Sequence, residues 1–389
     1  MAVKILSVDD ELDLEVLIRQ YFRRKIRKGE YIFEFAHNGV EALKVLLQHP
    51  DIDIILSDIN MPEMDGLTLL TKINEMQNPA KKCIMVSAYG DMQNIRSAMN
   101  GGAFDFTTKP IDMEDLERTI EKAASQIQYI KDAQKEHAEL NSLQQDLDIA
   151  RDIQCSILPK VFPAFPEIAS IDLYASMNAA KSVGGDFYDF FKLGTNKVGF
   201  IVADVCDKGI PSALFMTISR TVMRTITPKA ISPADCLFES NNMITSESKD
   251  RMFVTLFYGV LDCKTGELVY CNGGHNSPIW VKADGTTEML PRTGNMALGI
   301  MEDIPYNNKV IQLSPDDHIF CYTDGVTEAE NAQKDLYGEP KLMDLLKGSG
   351  ELSSRQVIEN VTNSLKEFVG DANQSDDITM LDIKFNGGD

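Results

Sequence analysis

The sequence lacks paired cysteines, long apolar runs and an excess of basic residues. Its 7 cysteines form no C-x-x-C pair, which argues against a zinc site or a disulfide framework and favours reduced thiols in a cytosol. Because it contains neither an export signal nor a run of 18 apolar residues, we expect no membrane span. The formal net charge of −21 would repel nucleic acid. These absences predict a cytoplasmic protein without nucleic-acid or membrane partners.

The composition is sufficient for several folded domains. The 389 residues, 43% of them hydrophobic, suggest two to three domains of ~150 residues. In the N-terminal part, residues 1–122, short apolar runs alternate with stretches of helix length. This alternation predicts a doubly wound α/β domain with a five-stranded parallel sheet. The strand candidates are VKILSV, YIFEFA, IDIILSD, KCIMVSA and AFDFTTKP.

Charged and polar residues stand where these strands should end. The first run ends in Asp9 and Asp10, the third in Asp58, the fourth in Ser87 and the fifth in Lys109. Chemistry collects at the carboxyl ends of parallel strands, and three converging carboxylates would repel unless a divalent cation neutralised them. An acidic edge that only solubilises the domain is the alternative, but it would not explain the serine and the lysine.

The stretches SDINMPEMDG, MVSAYG and DFTTKP, together with the acidic pair, resemble the receiver domain of bacterial response regulators. The resemblance implies that Asp58 accepts a phosphoryl group from a sensor histidine kinase, a reaction in which a metal ion offsets the charge of the phosphate. It assigns Mg²⁺ binding to Asp9, Asp10, Asp58 and the Asn60 backbone carbonyl, phosphoryl contacts to Ser87 and Lys109, and an aromatic switch to Phe106.

Residues 112–158 read as one long helical linker. No glycine or proline interrupts it before Pro159, and ~70 Å at 1.5 Å per residue exceeds a small domain. The helix could pack on its own chain or form a coiled-coil homodimer, and the seam length favours the homodimer. The seam breaks around Gln134 and His137. Its apolar positions are Leu116, Ile120, Ala123, Ile127, Ile130, Leu140, Leu143, Leu147 and Ala150.

After the linker, residues 159–389 contain many short β runs with helical stretches at Ser212 to Thr227, Pro233 to Glu247 and Glu339 to Leu346. This pattern predicts an α+β domain, a two-layer antiparallel β-sandwich flanked by helices. Acidic residues recur at strand ends or tight turns, several beside glycines. They are Asp186, Asp204, Asp324 and the pair Asp376 and Asp377. Carboxylates without nearby histidine or cysteine suit magnesium or manganese rather than zinc.

The motifs SVGGDFYD, ADVCDKG, YTDGVTEA and QSDDIT, with the lead-in IQCSILP, resemble the PPM superfamily of metal-dependent serine/threonine protein phosphatases, in its SpoIIE/RsbU-like branch. The resemblance implies a site for two Mn²⁺ or Mg²⁺ ions that activate water, with Asp204 and Asp186 as catalytic residues. Its substrate would be a phosphorylated anti-sigma factor antagonist. The implied ligands are Asp186, Asp204 as the bridge, the Val205 carbonyl, Asp324 and, of the final pair, Asp376 in preference to Asp377.

Four further residues have open roles. His275 is either a general acid or a structural hydrogen-bonding residue, and the second is commoner for a histidine in a glycine turn. Asp207 adds a carboxylate that could tune metal affinity, while Asp189 and Glu328 are interpreted as supporting or solvated groups. Two functions therefore compete: a phosphatase controlled by its receiver, which intact acidic motifs favour, and an inactive phosphatase fold that serves as a phosphorylation-dependent adaptor.

Overall fold

The computed structural model describes residues 2–88, 91–247 and 252–388, apart from the side chain of Glu247. The chain divides into two compact units, Met1–Leu143 and Gln144–Asp389. Each unit is described on its own.

The first unit is built on a single sheet. Its strands are β1 (Val3–Val8), β2 (Tyr31–Ala36), β3 (Ile54–Asp58), β4 (Lys82–Ala88) and β5 (Asp105–Lys109). All four pairings are parallel, and the strand order is β2-β1-β3-β4-β5. The predicted five-stranded parallel sheet is therefore confirmed.

Helices cover both faces of this sheet. They are α1 (Leu12–Tyr21), α2 (Arg23–Arg27), α3 (Gly39–Gln48), α4 (Gly66–Glu75), α5 (Met92–Asn100) and α6 (Met113–Ile157), which ends in the second unit. Asn38 and Asp65 cap α3 and α4 by accepting backbone hydrogen bonds from Glu41 and Thr68, which satisfies donors that a helix start leaves free. One apolar cluster contains residues of α3, α4 and α5, and the other contains residues of α1 and α6.

The first half of the α6 seam packs within its own unit. Leu116, Ile120 and Ala123 are at most 1% exposed, and together with Ile127 they lie in the cluster that contains Ile18 of α1. The preference for an intermolecular seam at these positions was wrong. A spacing of three and four residues marks any apolar helix face, and here the neighbouring sheet and helix bury that face.

The later seam positions differ. Leu140 and Leu143 are 59% and 54% exposed, and Leu147 and Ala150 are half-buried. Their own units leave much of this apolar surface open. A dimeric coiled coil stays a prediction for this part of the linker.

The second unit contains two antiparallel sheets. Its strands are β6 (Ile171–Asn178), β7 (Phe187–Leu193), β8 (Lys197–Val205), β9 (Val254–Asp262), β10 (Glu267–Gly273), β11 (Ile279–Val281), β12 (Thr287–Met289), β13 (Lys309–Gln312), β14 (Asp317–Tyr322) and β15 (Ile378–Phe385). One sheet has the order β13-β10-β9-β8-β7 and the other β12-β11-β14-β15-β6. Phe187, Phe200 and Phe257 from the first sheet share a buried cluster with Ile319 and Leu381 from the second.

Helices flank both sheets. They are α7 (Ile210–Ile226), α8 (Pro233–Glu247), α9 (Asp324–Thr327), α10 (Glu339–Leu346) and α11 (Ser354–Val369). The pair α7 and α8 contacts the first sheet, and α10 and α11 contact the second, so the predicted sandwich flanked by helices is confirmed. The sequence interpretation did not name α11, although a capping box of Ser353 and Gln356 marks its start. Within the described residues, no helix combines the length and apolarity needed to span a membrane.

Candidate functional sites

The first acidic edge consists of Asp9, Asp10 and Asp58. Asp9 and Asp10 follow β1, and Asp58 ends β3, the strand beside it. One carboxylate oxygen of each residue lies within 4.8 Å of the other two. Burial, and more weakly the charge of Asp58, raise the pKa of Asp9 although Lys109 opposes them. The sequence prediction that these three carboxylates converge is borne out by their position.

Lys109 lies against the first acidic edge. Its Nζ atom is 2.7 Å from Oδ2 of Asp58, 3.0 Å from Oδ2 of Asp9 and 3.0 Å from Oε1 of Glu11. Burial lowers the pKa of Lys109, but the hydrogen bonds to these carboxylates outweigh burial and the pKa is raised. The side chain is therefore a fixed cation in contact with the expected phosphoacceptor. The partner Glu11 was not predicted from the sequence.

Ser87 and Asn60 lie near the same edge, whereas Phe106 lies three residues before Lys109 on β5. Ser87 is fully buried near the end of β4, and the Asn60 backbone N–H donates to Oδ1 of Asp58 at 3.4 Å. Phe106, on β5, is 37% exposed, so its ring is available to a partner surface. Tyr89 and Gly90 of the MVSAYG stretch lie outside the described residues.

The second acidic cluster consists of Asp186, Asp204, Asp324 and Asp376. Asp186 precedes β7 and Asp204 lies near the end of β8, both in the first sheet of the sandwich. Asp324 follows β14 and begins α9, and Asp376 precedes β15, so these two come from the second sheet. The cluster thus forms where strand ends of both sheets meet.

Electrostatic interactions connect the members of this cluster. Burial, followed by the charge of Asp204, raises the pKa of Asp186 well above its usual value. Burial and the charge of Asp324 raise the pKa of Asp204 to about 7, and burial and Asp376 raise that of Asp324. Buried like charges are relieved by protons or by a bound cation. The ligand atoms are more spread than at the first acidic edge, since among described residues only that edge brings three within 4.8 Å of one another.

Glycines allow these loops to approach closely. A Cβ atom on Gly184 would lie 2.2 Å from Oδ2 of Asp377, and one on Gly325 would lie 1.9 Å from the Asp377 carbonyl oxygen. Both distances are far inside van der Waals contact. The glycines of the GGD and TDG motifs are therefore required because neighbouring motif loops pack directly on their backbone.

The structure separates the roles of Asp376 and Asp377. Both carboxylate oxygens of Asp377 accept backbone hydrogen bonds at 2.8 Å, Oδ1 from Ala180 and Oδ2 from Gly185. Asp376 instead forms an ion pair through Oδ2 with Lys208 at 2.8 Å, and its Oδ1 accepts from the Asp377 backbone N–H at 2.9 Å. This difference supports the preference for Asp376 as the ligand, because backbone N–H groups of the loop before Asp186 hold both oxygens of Asp377, whereas only Oδ1 of Asp376 is held by the backbone.

His275 is 7% exposed and interacts through Nδ1 with the Thr255 hydroxyl at 2.9 Å. Burial lowers its pKa to about 4, so the imidazole is neutral at neutral pH and holds no proton to give as an imidazolium acid. The Thr255 hydroxyl also reaches the Asp204 carbonyl oxygen at 3.4 Å. These contacts favour the structural interpretation of His275, as a support for the strand that carries Asp204.

The remaining acidic residues divide into one buried and two exposed groups. Asp189 is fully buried and bound by two arginines of α7: Arg224 at 2.6 Å and Arg220 at 3.0 Å. It is therefore a supporting group that ties β7 to α7. Asp207 and Glu328 are exposed, and Asp207 adopts a positive φ of 66°.

Three residues beside the cluster were not singled out from the sequence. Thr323 donates its hydroxyl to Oδ2 of Asp186 at 2.7 Å, Lys208 pairs with Asp376, and Gln154 bonds to the loop before Asp186. Each lies inside a motif that had been noted, yet only folding brings it to its partner.

Both sites have donor sets suited to divalent cations. Carboxylates and backbone carbonyls are the ligands that Mg²⁺ and Mn²⁺ prefer. At the second cluster the Val205 carbonyl accepts a long hydrogen bond of 3.4 Å from Ser212, which leaves a lone pair for another partner. The raised pKa values of the clustered aspartates are those expected where a cation is needed. The residues therefore fit the implied metal ions.

Comparisons with known proteins match a family model to each unit. Residues 5–121 match the model of the response regulator receiver domain, and residues 194–386 match that of stage II sporulation protein E. The chemotaxis protein CheY of Bacillus subtilis is 34% identical over 122 residues, 31% of this chain and 98% of CheY. Phosphoserine phosphatase RsbU of the same organism is 27% identical over 257 residues, 65% of this chain and 75% of RsbU.

A solved structure shares the fold of the second unit. The SiaA-PP2C domain of Pseudomonas aeruginosa matches with a TM-score of 0.57 and 21% identity, over 64% of this chain and 99% of that domain. Of three curated relatives that match over 61–65% of this chain, the chain spans 42%, 75% and 58% of the relative's own length.

Proposed function

Because the chain belongs to the response regulators, with an N-terminal receiver domain followed by a SpoIIE-family phosphatase domain of the PPM type, we propose that it is a phosphatase controlled by its receiver. It removes phosphate from phosphoserine or phosphothreonine of a protein substrate. We assign residues 1–122 to the receiver, 112–158 to the linker and 159–389 to the phosphatase domain.

The observation that carries this proposal is the second acidic cluster. Four carboxylates from both sheets converge in partly or fully buried surroundings, and burial together with mutual repulsion raises the pKa values of Asp186, Asp204 and Asp324. Such an arrangement is costly to a fold unless it binds a cation. A catalytically inactive adaptor does not need such a cation-binding cluster.

Each residue of the cluster has a defined task. Two Mn²⁺ or Mg²⁺ ions would be held by Asp204, Asp186, Asp324, Asp376 and the Val205 carbonyl, with Asp204 as the ligand that they would share. When bound, such ions lower the pKa of water and offset the charge of a phosphate group. The Thr323 hydroxyl orients the Asp186 carboxylate, and Lys208 holds Asp376 in place.

The receiver provides the control. The Asp58 carboxylate accepts a phosphoryl group from a sensor histidine kinase. Asp9, Asp10, Asp58 and the Asn60 carbonyl would hold the Mg²⁺ ion that offsets the charge of the phosphate. Lys109 neutralises the phosphorylated aspartate, and Ser87 contacts the phosphoryl oxygens while Phe106 repacks. We expect phosphorylation to activate the output domain through the linker, which pairs with a second copy of the chain.

The relatives support a phosphoprotein substrate. RsbU carries the name phosphoserine phosphatase, and the same chemistry in this chain would act on a small phosphorylated anti-sigma factor antagonist. We place the protein in the cytoplasm, where such a partner would be found.

The test measures hydrolysis of an aryl phosphate by the full chain with and without Mn²⁺, and with and without beryllium fluoride as a phosphate mimic on Asp58. We expect Mn²⁺-dependent turnover that the mimic increases. The Asp204→Ala variant should lose at least ~100-fold. Absence of Mn²⁺-dependent turnover, with the wild type no faster than this variant, would favour the adaptor.

A further inference from the structure

Gln154 lies near the end of the linker helix α6 and is 6% exposed. Its side-chain amide makes both of its hydrogen bonds with one residue. Nε2 donates to the Gly184 carbonyl oxygen at 2.6 Å, and Oε1 accepts from the Gly184 backbone N–H at 3.0 Å. The glutamine thus binds a single peptide segment in a bidentate manner.

Gly184 lies in the loop between β6 and β7, two residues before Asp186. It is buried and belongs to no strand, so sheet pairing does not satisfy its backbone N–H and carbonyl. Gln154 satisfies both. On the other side, the loop is held by Asp377, which accepts from Ala180 and Gly185.

Arg151 strengthens the attachment from the same face of α6, three residues before Gln154. Its guanidinium donates to the Ser182 carbonyl oxygen at 3.0 Å and to the Lys181 carbonyl oxygen at 3.4 Å. Arg151 and Gln154, one helical turn apart, therefore bind three loop residues, Lys181, Ser182 and Gly184, through loop backbone atoms alone. Backbone atoms move with the chain, so this contact fixes the path of the loop.

We propose that Gln154 is a positioning residue for the metal site, which holds the Gly184 backbone and through it sets the place of the Asp186 carboxylate. The proposal deepens the function above and rests on it. Helix α6 starts at Met113 in the receiver unit and ends at Ile157. Its final turns, which carry Arg151 and Gln154, contact the loop before Asp186. A shift of these turns would alter Asp186 before any other cluster residue.

The cost of losing the contact has a clear physical basis. Without the glutamine amide, a buried N–H and a buried carbonyl would lack partners, which folded proteins avoid. The loop would move toward water, and Asp186 would move with it. Residues that orient metal ligands typically change metal affinity by roughly 10-fold to 100-fold when they are replaced.

The experiment compares wild type with Gln154→Leu, which keeps the shape and removes both hydrogen bonds. Mn²⁺ binding is measured by isothermal titration calorimetry on the full chain, in a shared Asp9→Asn, Asp58→Ala background that removes two ligands of the receiver site. We expect Mn²⁺ affinity to fall about 10-fold and activity to recover at high Mn²⁺. Gln145→Leu, at an exposed position of the same helix, is the matched control and should bind as wild type does.

Two further variants keep the result interpretable. Gln154→Glu preserves the acceptor for the Gly184 N–H and loses the donor, so its affinity should fall between wild type and Gln154→Leu; it also decides the matter if the leucine variant does not fold. Asp204→Ala should abolish Mn²⁺ binding, and a wild-type titration in that variant would refute the proposed metal site itself. Unchanged Mn²⁺ affinity in Gln154→Leu, with Asp204→Ala inactive, would overturn only the role of Gln154. An activity loss that Mn²⁺ does not rescue would also overturn it.

Discussion

Gly185 donates its backbone N–H to Oδ2 of Asp377 at 2.8 Å, across 192 residues of chain. The same carboxylate accepts from Ala180 through its other oxygen. One side chain near the C-terminus therefore shapes the loop that delivers Asp186. Its neighbour Asp376 has no such task and faces Lys208.

This difference predicts opposite phenotypes for two adjacent substitutions. Asp377→Asn leaves one acceptor oxygen for two N–H donors. The free energy of unfolding of the metal-free protein should therefore fall by about 1–3 kcal/mol, and its unfolding temperature should fall with it. Asp376→Asn should leave that temperature nearly unchanged but weaken Mn²⁺ binding. Differential scanning calorimetry measures the unfolding temperature of both variants, and isothermal titration calorimetry measures their Mn²⁺ affinity. Reversed phenotypes would exchange the roles of the two residues.

Removing a buried like charge should stabilise the metal-free protein. Asp204→Asn takes one negative charge from a cluster in which burial and Asp324 already raise the pKa of Asp204 to about 7. We expect the variant to gain about 1 kcal/mol, roughly 2–4 °C for a domain of this size, and to lose the stabilisation that Mn²⁺ gives to wild type. Thermal unfolding with and without Mn²⁺ measures both effects. A variant that is less stable without metal would contradict the repulsion argument.

The phosphoacceptor can be identified by mass. The full chain incubated with acetyl phosphate and Mg²⁺ should gain one phosphoryl group, and Asp58→Ala should gain none because its nucleophilic carboxylate is missing. Asp13→Ala, at an exposed acidic position of α1, should label like wild type. Intact-mass spectrometry measures the mass of wild type and of both variants. Equal labelling of Asp58→Ala and wild type would place the acceptor elsewhere.

A buried ion pair predicts a pH dependence of stability. His318 and Asp382 are fully buried with 2.8 Å between Nδ1 and Oδ2. Burial lowers the pKa of His318, but the charge and hydrogen bond of Asp382 outweigh burial and raise it. Since the folded pKa exceeds the unfolded value of about 6.5, the contribution to stability is complete below that pH and is lost as pH rises through the folded pKa.

The Asp382→Asn variant tests this dependence. Without the negative charge of the carboxylate, the pKa of His318 is no longer raised. The decline in stability above about pH 6.5 should therefore be smaller than in wild type. Urea unfolding of the metal-free proteins between pH 5.5 and 8.5 provides the two curves. Parallel curves would mean that His318 does not titrate in this range.

The exposed seam predicts how the linker associates. Leu140 and Leu143 are more than half exposed, so the double change Leu140→Asp and Leu143→Asp should abolish a dimer without affecting the receiver core. Glu139→Lys, an exposed position on the same helix, is the control. Sedimentation velocity measures the mass of each protein. A wild-type monomer, or a dimer that survives the double change, would exclude this seam.

Much of the architecture could be predicted because the signals are local. The apolar runs at Val3–Val8 and Ile54–Asp58 could be recognised as strands because a buried strand is apolar. The carboxyl ends of parallel strands meet at one edge of the sheet, and this topology alone brings Asp9 and Asp58 together. The acidic motifs were visible for the same reason, since each places its aspartate at a strand end or a tight turn, and three of the four have a glycine beside or near it.

Partners that come from distant segments could not be predicted. The spacing of Leu116, Ile120 and Ala123 is the same whether a helix faces a second chain or its own sheet, and only the neighbouring elements decide which face is buried. Likewise, Gln154 and Asp377 act on the loop before Asp186 from 30 and 192 residues away. A hydrogen bond depends on atoms within about 3 Å, and residue order along the chain does not specify that distance until the sandwich has closed.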